Sequence, residues 1–106
     1  MIEEPQVERA VLYLRDTAAE FGIARGHKQF CEENLRRVKA LQMLADSTGS
    51  LGDREARAYA SEAYGEALEG LKDAVADYET LRAYREGAVM LIETWRSQSS
   101  ARKQGL

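Results

Sequence analysis

An all-α fold is what this sequence predicts: a long antiparallel helical hairpin, coiled-coil-like, with a short helix near the turn. Three observations carry that expectation. Two apolar-periodic stretches, from about Pro5 to Asp46 and from about Ser61 to Lys103, flank the Gly/Ser-rich segment Ser47-Thr48-Gly49-Ser50-Leu51-Gly52-Asp53. The chain has a single proline, at position 5, and is rich in Ala, Glu, Leu and Arg, which favours helix over strand. Charge alternates in blocks: residues 25–47 and 87–106 are net positive, residues 1–24 and 63–86 net negative. Folding back at the Gly/Ser segment lays each positive block beside a negative one.

Each element has its own signal. Pro5 suits a first helical turn, where a missing N–H costs nothing. Val7, Val11, Leu14, Ala18 and Phe21 then recur at steps of three or four, and the series resumes with Phe30, Leu35, Val38, Leu41 or Gln42, and Ala45. Gly22 and Gly26 fall between, each costing about 1 kcal/mol relative to Ala in a helix. With no Pro, Asn or Asp cluster there, one continuous or kinked helix is expected. Residues 47–53 read as the interhelical loop. Asp53 is the expected cap of a short helix through Glu55, Ala56, Ala58, Tyr59 and Ala60, and Ser61 caps or continues into the last element. That element shows Tyr64, Leu68, Leu71, Val75, Tyr78, Leu81, Arg85, Ala88, Ile92 and Trp95, a seam with Arg85 as its one charged intruder. Trp95 is expected to be substantially buried near Val7, Val11 and Leu14. Gly65, Gly70 and Gly87 either admit a close helix or weaken their own. Residues 97–106 are small, polar and basic, and are expected to fray.

At 106 residues the chain is expected to form one helical domain, 1–106, with a thin, alanine-rich core. One apolar flank would remain uncovered, exposing Tyr13, Leu44, Val89 and Met90, so a homo-oligomer is expected. The longest wholly apolar run, Ala88-Val89-Met90-Leu91-Ile92, cannot span a bilayer. The acidic N-terminus lacks the pattern of a signal peptide, so a soluble cytoplasmic protein with no membrane association is expected.

Catalytic chemistry finds no foothold. Cys31 is the lone cysteine, which excludes an internal disulfide and a cysteine-based metal site within one chain. His27 is the lone histidine and stands among Arg25 and Lys28, which disfavour its protonation. The glycines are scattered and form no phosphate loop. The reading is therefore not an enzyme, with no catalytic residue, no metal and no cofactor.

Binding surfaces are the remaining candidates. Arg25, Lys28, Arg36, Arg37 and Lys39 form a basic set, and Arg96, Arg102 and Lys103 a second one behind Trp95. Both suit phosphate contact, and the first also suits charge pairing with Glu66, Glu69, Asp73, Asp77 and Glu79. Tyr59, Tyr64, Tyr78 and Tyr84 are candidates for base stacking, with Tyr59 and Tyr84 better placed for exposure. Glu66, Glu69, Asp73 and Asp77 form an acidic flank that could meet a basic partner.

The series Tyr59-Ala60…Tyr64, Leu68-Glu69-Gly70-Leu71-Lys72-Asp73-Ala74-Val75, Leu81-Arg82 and Glu93-Thr94-Trp95-Arg96-Ser97-Gln98 resembles small helical proteins of tailed phages and prophages. Genes for such proteins often lie among replication or recombination genes. The resemblance covers roughly the C-terminal half. It implies a setting, phage DNA metabolism in the host-cell cytoplasm, and transfers no residue-level mechanism. The net charge of −3 departs from what a simple DNA-coating protein would carry. Two functions are expected from this. The first is a non-enzymatic accessory of recombination or replication that binds single-stranded DNA, a recombinase or an annealing protein as an oligomer. The second is a helical interaction module, a host-factor inhibitor or assembly adaptor, that binds no nucleic acid.

Overall fold

The computed structural model describes residues 1–105. They form three helices and no strand: α1 (Glu4–Ala45), α2 (Leu51–Tyr59) and α3 (Glu62–Lys103). The all-α hairpin with a short helix at its turn is the fold. α1 runs unbroken through Gly22 and Gly26, and a Cβ added at either would meet no atom within 4 Å. The same holds at Gly65, Gly70 and Gly87, so none of these glycines serves a close helix approach within the chain.

The turn is shorter than residues 47–53, because α2 begins at Leu51. Ser50, not Asp53, is its N-cap. Asp53 sits three residues on and completes a capping box, in which the Asp53 N–H donates to Ser50 Oγ and the Ser50 N–H donates to Asp53 Oδ2. Gly49 has φ of 79°, and a Cβ there would come within 2.9 Å of Asp53 Oδ2, so this turn position requires glycine. Ser61 caps α3 by accepting from the Tyr64 N–H at 3.2 Å. α3 continues to Lys103, so residues 97–103 are helical where a frayed tail was expected. Arg102 and Lys103 in the last turn face the negative carbonyl end of the helix dipole, which supports that extension. Leu106 lies outside the described residues.

The chain groups into two compact units, each built from segments of both long helices. One comprises Met1–Gly22 and the chain from Glu79 onward. Here Ala10 is buried, and Val7, Leu14, Thr17 and Phe21 are half-buried, as are Leu81, Arg85, Ala88, Ile92 and Trp95. Arg85 enters this seam directly. Its Nη1 donates to the Leu14 carbonyl at 2.8 Å and to Thr17 Oγ1 at 2.6 Å, and its guanidinium lies 4.9 Å from the Phe21 ring centre. The hydrogen bonds from Arg85 to Leu14 and from Ile2 to Gln98 set a register that places Trp95 beside the first turns of α1. The indole is half-buried rather than substantially buried, and Val11, one of its expected neighbours, is exposed. At the chain start the Ile2 N–H donates to Gln98 Oε1 at 3.1 Å, which ties residue 98 into the unit.

The other unit is Ile23–Tyr78. Its buried residues are Cys31, Ala58 and Ala74, the last only 1% exposed. Ala24, Lys28, Leu35 and Val38 on α1, with Tyr64, Ala67, Leu71 and Tyr78 on α3, are half-buried around them.

Most expected seam residues do point inward, among them Val7, Leu14, Phe21, Leu35, Val38 and nearly all of the α3 series, but at several positions the inward residue is the small neighbour of the expected one. Ala10 points in where Val11 was expected, Thr17 where Ala18 was, Cys31 where Phe30 was, Ala67 where Leu68 was, and Ala74 is more deeply buried than Val75. Val11, Phe30 and Leu68 are exposed instead. Small residues at every second seam position let the helix backbones approach, and the larger neighbours are displaced to the flank. Of the four residues expected to be exposed, Leu44, Val89 and Met90 are, while Tyr13 is half-buried.

Candidate nucleic-acid and partner surfaces

The basic set on α1 divides by what each cation touches. Lys28 is half-buried in the α1 seam, 4.8 Å from the Tyr78 ring centre and 3.8 Å from Glu32. Lys39 donates to Tyr59 Oη at 2.9 Å, lies 4.6 Å from that ring's centre and pairs with Glu55 at 3.6 Å. These contacts, the Tyr59 hydrogen bond foremost, raise the Lys39 pKa. Arg36 pairs with Glu33 one turn away at 2.7 Å. Arg25 and Arg37 are exposed and have no ion-pair partner among the described residues. The same is true of Arg96, Arg102 and Lys103 along the last turns of α3.

The expected cross-pairing of these cations with the acidic block does not form. Glu69 pairs with Lys72 and Glu79 with Arg82, both within α3, while Glu66, Asp73 and Asp77 are exposed with no ion-pair partner among the described residues. The heptad explains it. Arg25, Arg36 and Lys39 project from the flank of α1 on one side of the seam, and Glu66, Asp73 and Asp77 from the α3 flank on the other. Block charges can match along a sequence while the side chains diverge in azimuth.

Tyr59 and Tyr64 meet edge to face, with ring centres 5.2 Å apart. With Lys39, Arg36, Leu35, Met43 and Leu71 they line an open hollow beside the turn. Tyr59 is 47% exposed and Tyr84 67%. Tyr64 and Tyr78 are half-buried in the seam and so less open to a base than Tyr59 and Tyr84. An exposed aromatic edge beside cations can take a base and its phosphate together. Sequence reading placed Lys39 and Tyr59 in separate groups. Their contact depends on the path of the turn, which no spacing rule encodes.

The turn itself is held by residues that were not singled out. α1 has no cation in its last turn, and Arg54 from α2 supplies the donor, with Nη2 reaching the Met43 carbonyl at 2.6 Å. Arg57 Nε donates to Asp46 Oδ2 at 2.5 Å, and its Nη2 donates to the Thr48 carbonyl and to Thr48 Oγ1. Asp46 also accepts from the Thr48 N–H and hydroxyl. Hydrogen bonding to Arg57 first, then to Thr48, holds the Asp46 carboxyl far below the usual carboxylate range. A carboxylate with a depressed folded pKa adds stability above its unfolded pKa, about 3.9, and loses it as pH falls toward the folded value. Acid titration of the melting midpoint should therefore show a drop below about pH 4. Asp46→Asn should flatten that drop and lower the midpoint at neutral pH. An unchanged acid limb in the Asn variant would remove Asp46 from the account.

Cys31 Sγ lies 3.9 Å from His27 Nε2, on the shared helix face that their spacing predicts. Among the described residues no group of three or more His, Cys, Asp or Glu side chains could hold a metal ion. No helix there is long and apolar enough to cross a membrane. No protein-family model matches this chain, and no curated protein or solved structure matches it either.

Proposed function

We propose that the protein is a non-enzymatic accessory of phage-type DNA recombination or replication, acting as an oligomer on single-stranded DNA and on the recombinase or annealing protein that coats it. One observation carries the reading. Arg25, Arg37, Arg96, Arg102 and Lys103 are exposed cations without ion-pair partners among the described residues, although the chain is acidic overall. Unpaired cations are available to phosphate at no cost in broken ion pairs. The Tyr59 edge beside Lys39 and Arg36 adds a stacking surface.

A second reading rests on the acidic line. Glu66, Asp73 and Asp77 are also exposed and make no ion pair among the described residues, and Glu69 pairs with Lys72 of its own helix. A protein partner with a basic surface would fit them, and nucleic acid would be repelled.

Fluorescence anisotropy with a labelled single strand separates the two. Binding is expected at low salt, falling on a log–log plot with a slope of about −0.7 per phosphate contact. Arg25→Glu with Arg96→Glu should reduce both affinity and slope without unfolding the chain, since both side chains are exposed and make no ion pair among the described residues. Absence of binding by oligomeric protein at low salt would defeat the first reading. Capture of a basic partner that is lost on Glu66→Lys with Asp73→Lys would then establish the second.

A further inference from the structure

The α1 segment of the Ile23–Tyr78 unit carries a second heptad stripe beside its buried one. Ile23, Phe30, Arg37 and Leu44 recur at every seventh residue, with His27, Asn34 and Leu41 between them. Ile23 is 73% exposed, Phe30 64%, Leu41 47% and Leu44 79%. Four large apolar side chains in heptad phase on a solvent face have the spacing of a helix-pairing seam, interrupted by His27, Asn34 and Arg37.

We infer that this stripe is a self-association surface, on which α1 of a second copy docks antiparallel. Charge selects the copy and its direction. A parallel pair would set each Arg37 against its own mate. An antiparallel pair sets Arg37 against the other copy's Asn34, which can accept from a guanidinium, and Phe30 against the other copy's Leu41, twice over by symmetry. The same register brings each Glu33, which in one chain is held by Arg36, level with the other copy's Arg37, so its second carboxylate oxygen can accept from a cation that has no ion pair in one chain. Gly26, on the edge of the stripe, has no atom within 4 Å of where a Cβ would stand and leaves room for the second backbone. The middle of the stripe, Phe30 to Leu41, is thus complementary to itself, while Leu44 falls opposite the other copy's His27.

The surface deepens the oligomer named above but does not depend on nucleic acid, and its test uses none. In a Cys31→Ala background, tagged Asn34→Cys protein mixed with untagged Arg37→Cys protein should give a tagged–untagged disulfide as the main oxidised product. Sedimentation of the unmodified chain should show a dimer. Phe30→Glu with Leu41→Glu should be monomeric with its helical circular dichroism retained. A monomer in the unmodified chain overturns the inference. So does a dimer that persists in the double Glu variant, or one that oxidises mainly Asn34→Cys to itself. If the double Glu variant fails to fold, the cross-linking result decides alone. Strand binding by the monomeric variant would leave the interface standing and show only that DNA recognition does not need it.

Discussion

Ala74→Leu is expected to be among the most damaging single substitutions in the chain, while Leu68→Ala is expected to be mild. Ala74 is 1% exposed, and Leu68 is 46% exposed. Three extra carbons at Ala74 have no space to enter and must push α3 away from α1 in the Ile23–Tyr78 unit. Overpacking of this kind costs about 1–3 kcal/mol, and each kcal/mol moves the midpoint by about 4–8 °C in a domain of this size. Ala74→Asp should be worse, because a buried carboxylate with no partner adds its desolvation cost. Removing the exposed Leu68 side chain should cost well under the 2–5 kcal/mol of a buried Leu→Ala change. Thermal melts by circular dichroism on the two variants rank them. If Leu68→Ala were the more damaging, the larger neighbours would form the seam and the inward phase would be wrong by one position.

That contrast marks the limit of what the sequence made legible. The hairpin, the turn, the short helix and the seam character of Arg85 follow from periodicity, composition and glycine placement. Half of the α1 seam and nearly all of the α3 seam follow too, but not the small positions between, because reading by size prefers Val11 to Ala10, Phe30 to Cys31 and Leu68 to Ala67. Helix pairs at close range reverse that preference, since the small side chain sets how near the backbones come. A signal was present: Ala10, Thr17, Ala24 and Cys31 recur at every seventh residue, and so do Ala67 and Ala74. The candidate surfaces were legible as residue types but not as arrangements. Lys28 belongs to the seam, and Lys39 to Tyr59 and Glu55. The acids lie on the opposite flank from most of the cations they were matched with. Linear charge blocks carry no azimuth, so the pairing they suggested had no means of being correct except by chance.

Arg85 supplies the second large effect, and two substitutions there should diverge. Arg85→Ala removes two hydrogen bonds made by a charged donor, to the Leu14 carbonyl and to Thr17 Oγ1, together with the contact over Phe21. Hydrogen bonds to charged groups contribute about 1.5–3 kcal/mol each. Half-burial and the return of water to the site reduce the net, so a loss of about 2–3 kcal/mol is expected. Thr17 keeps its hydroxyl bond to the Tyr13 carbonyl, so it is not orphaned. Arg85→Leu should cost much less. It fills the same seam position with an apolar group, and replacing a hydrogen-bonded, part-buried charge by a packed hydrophobe removes the cost of desolvating that charge along with its bonds. What it should cost is register. A single polar seam position penalises helix pairings that leave it without its partners, and an unbroken apolar seam tolerates sliding and alternative association. The Leu variant should therefore melt near the unmodified chain yet sediment as a mixture of species, whereas the Ala variant should melt lower and sediment as one. A Leu variant that is as uniform as the unmodified chain would reduce Arg85 to a stabilising contact with no part in specifying the fold.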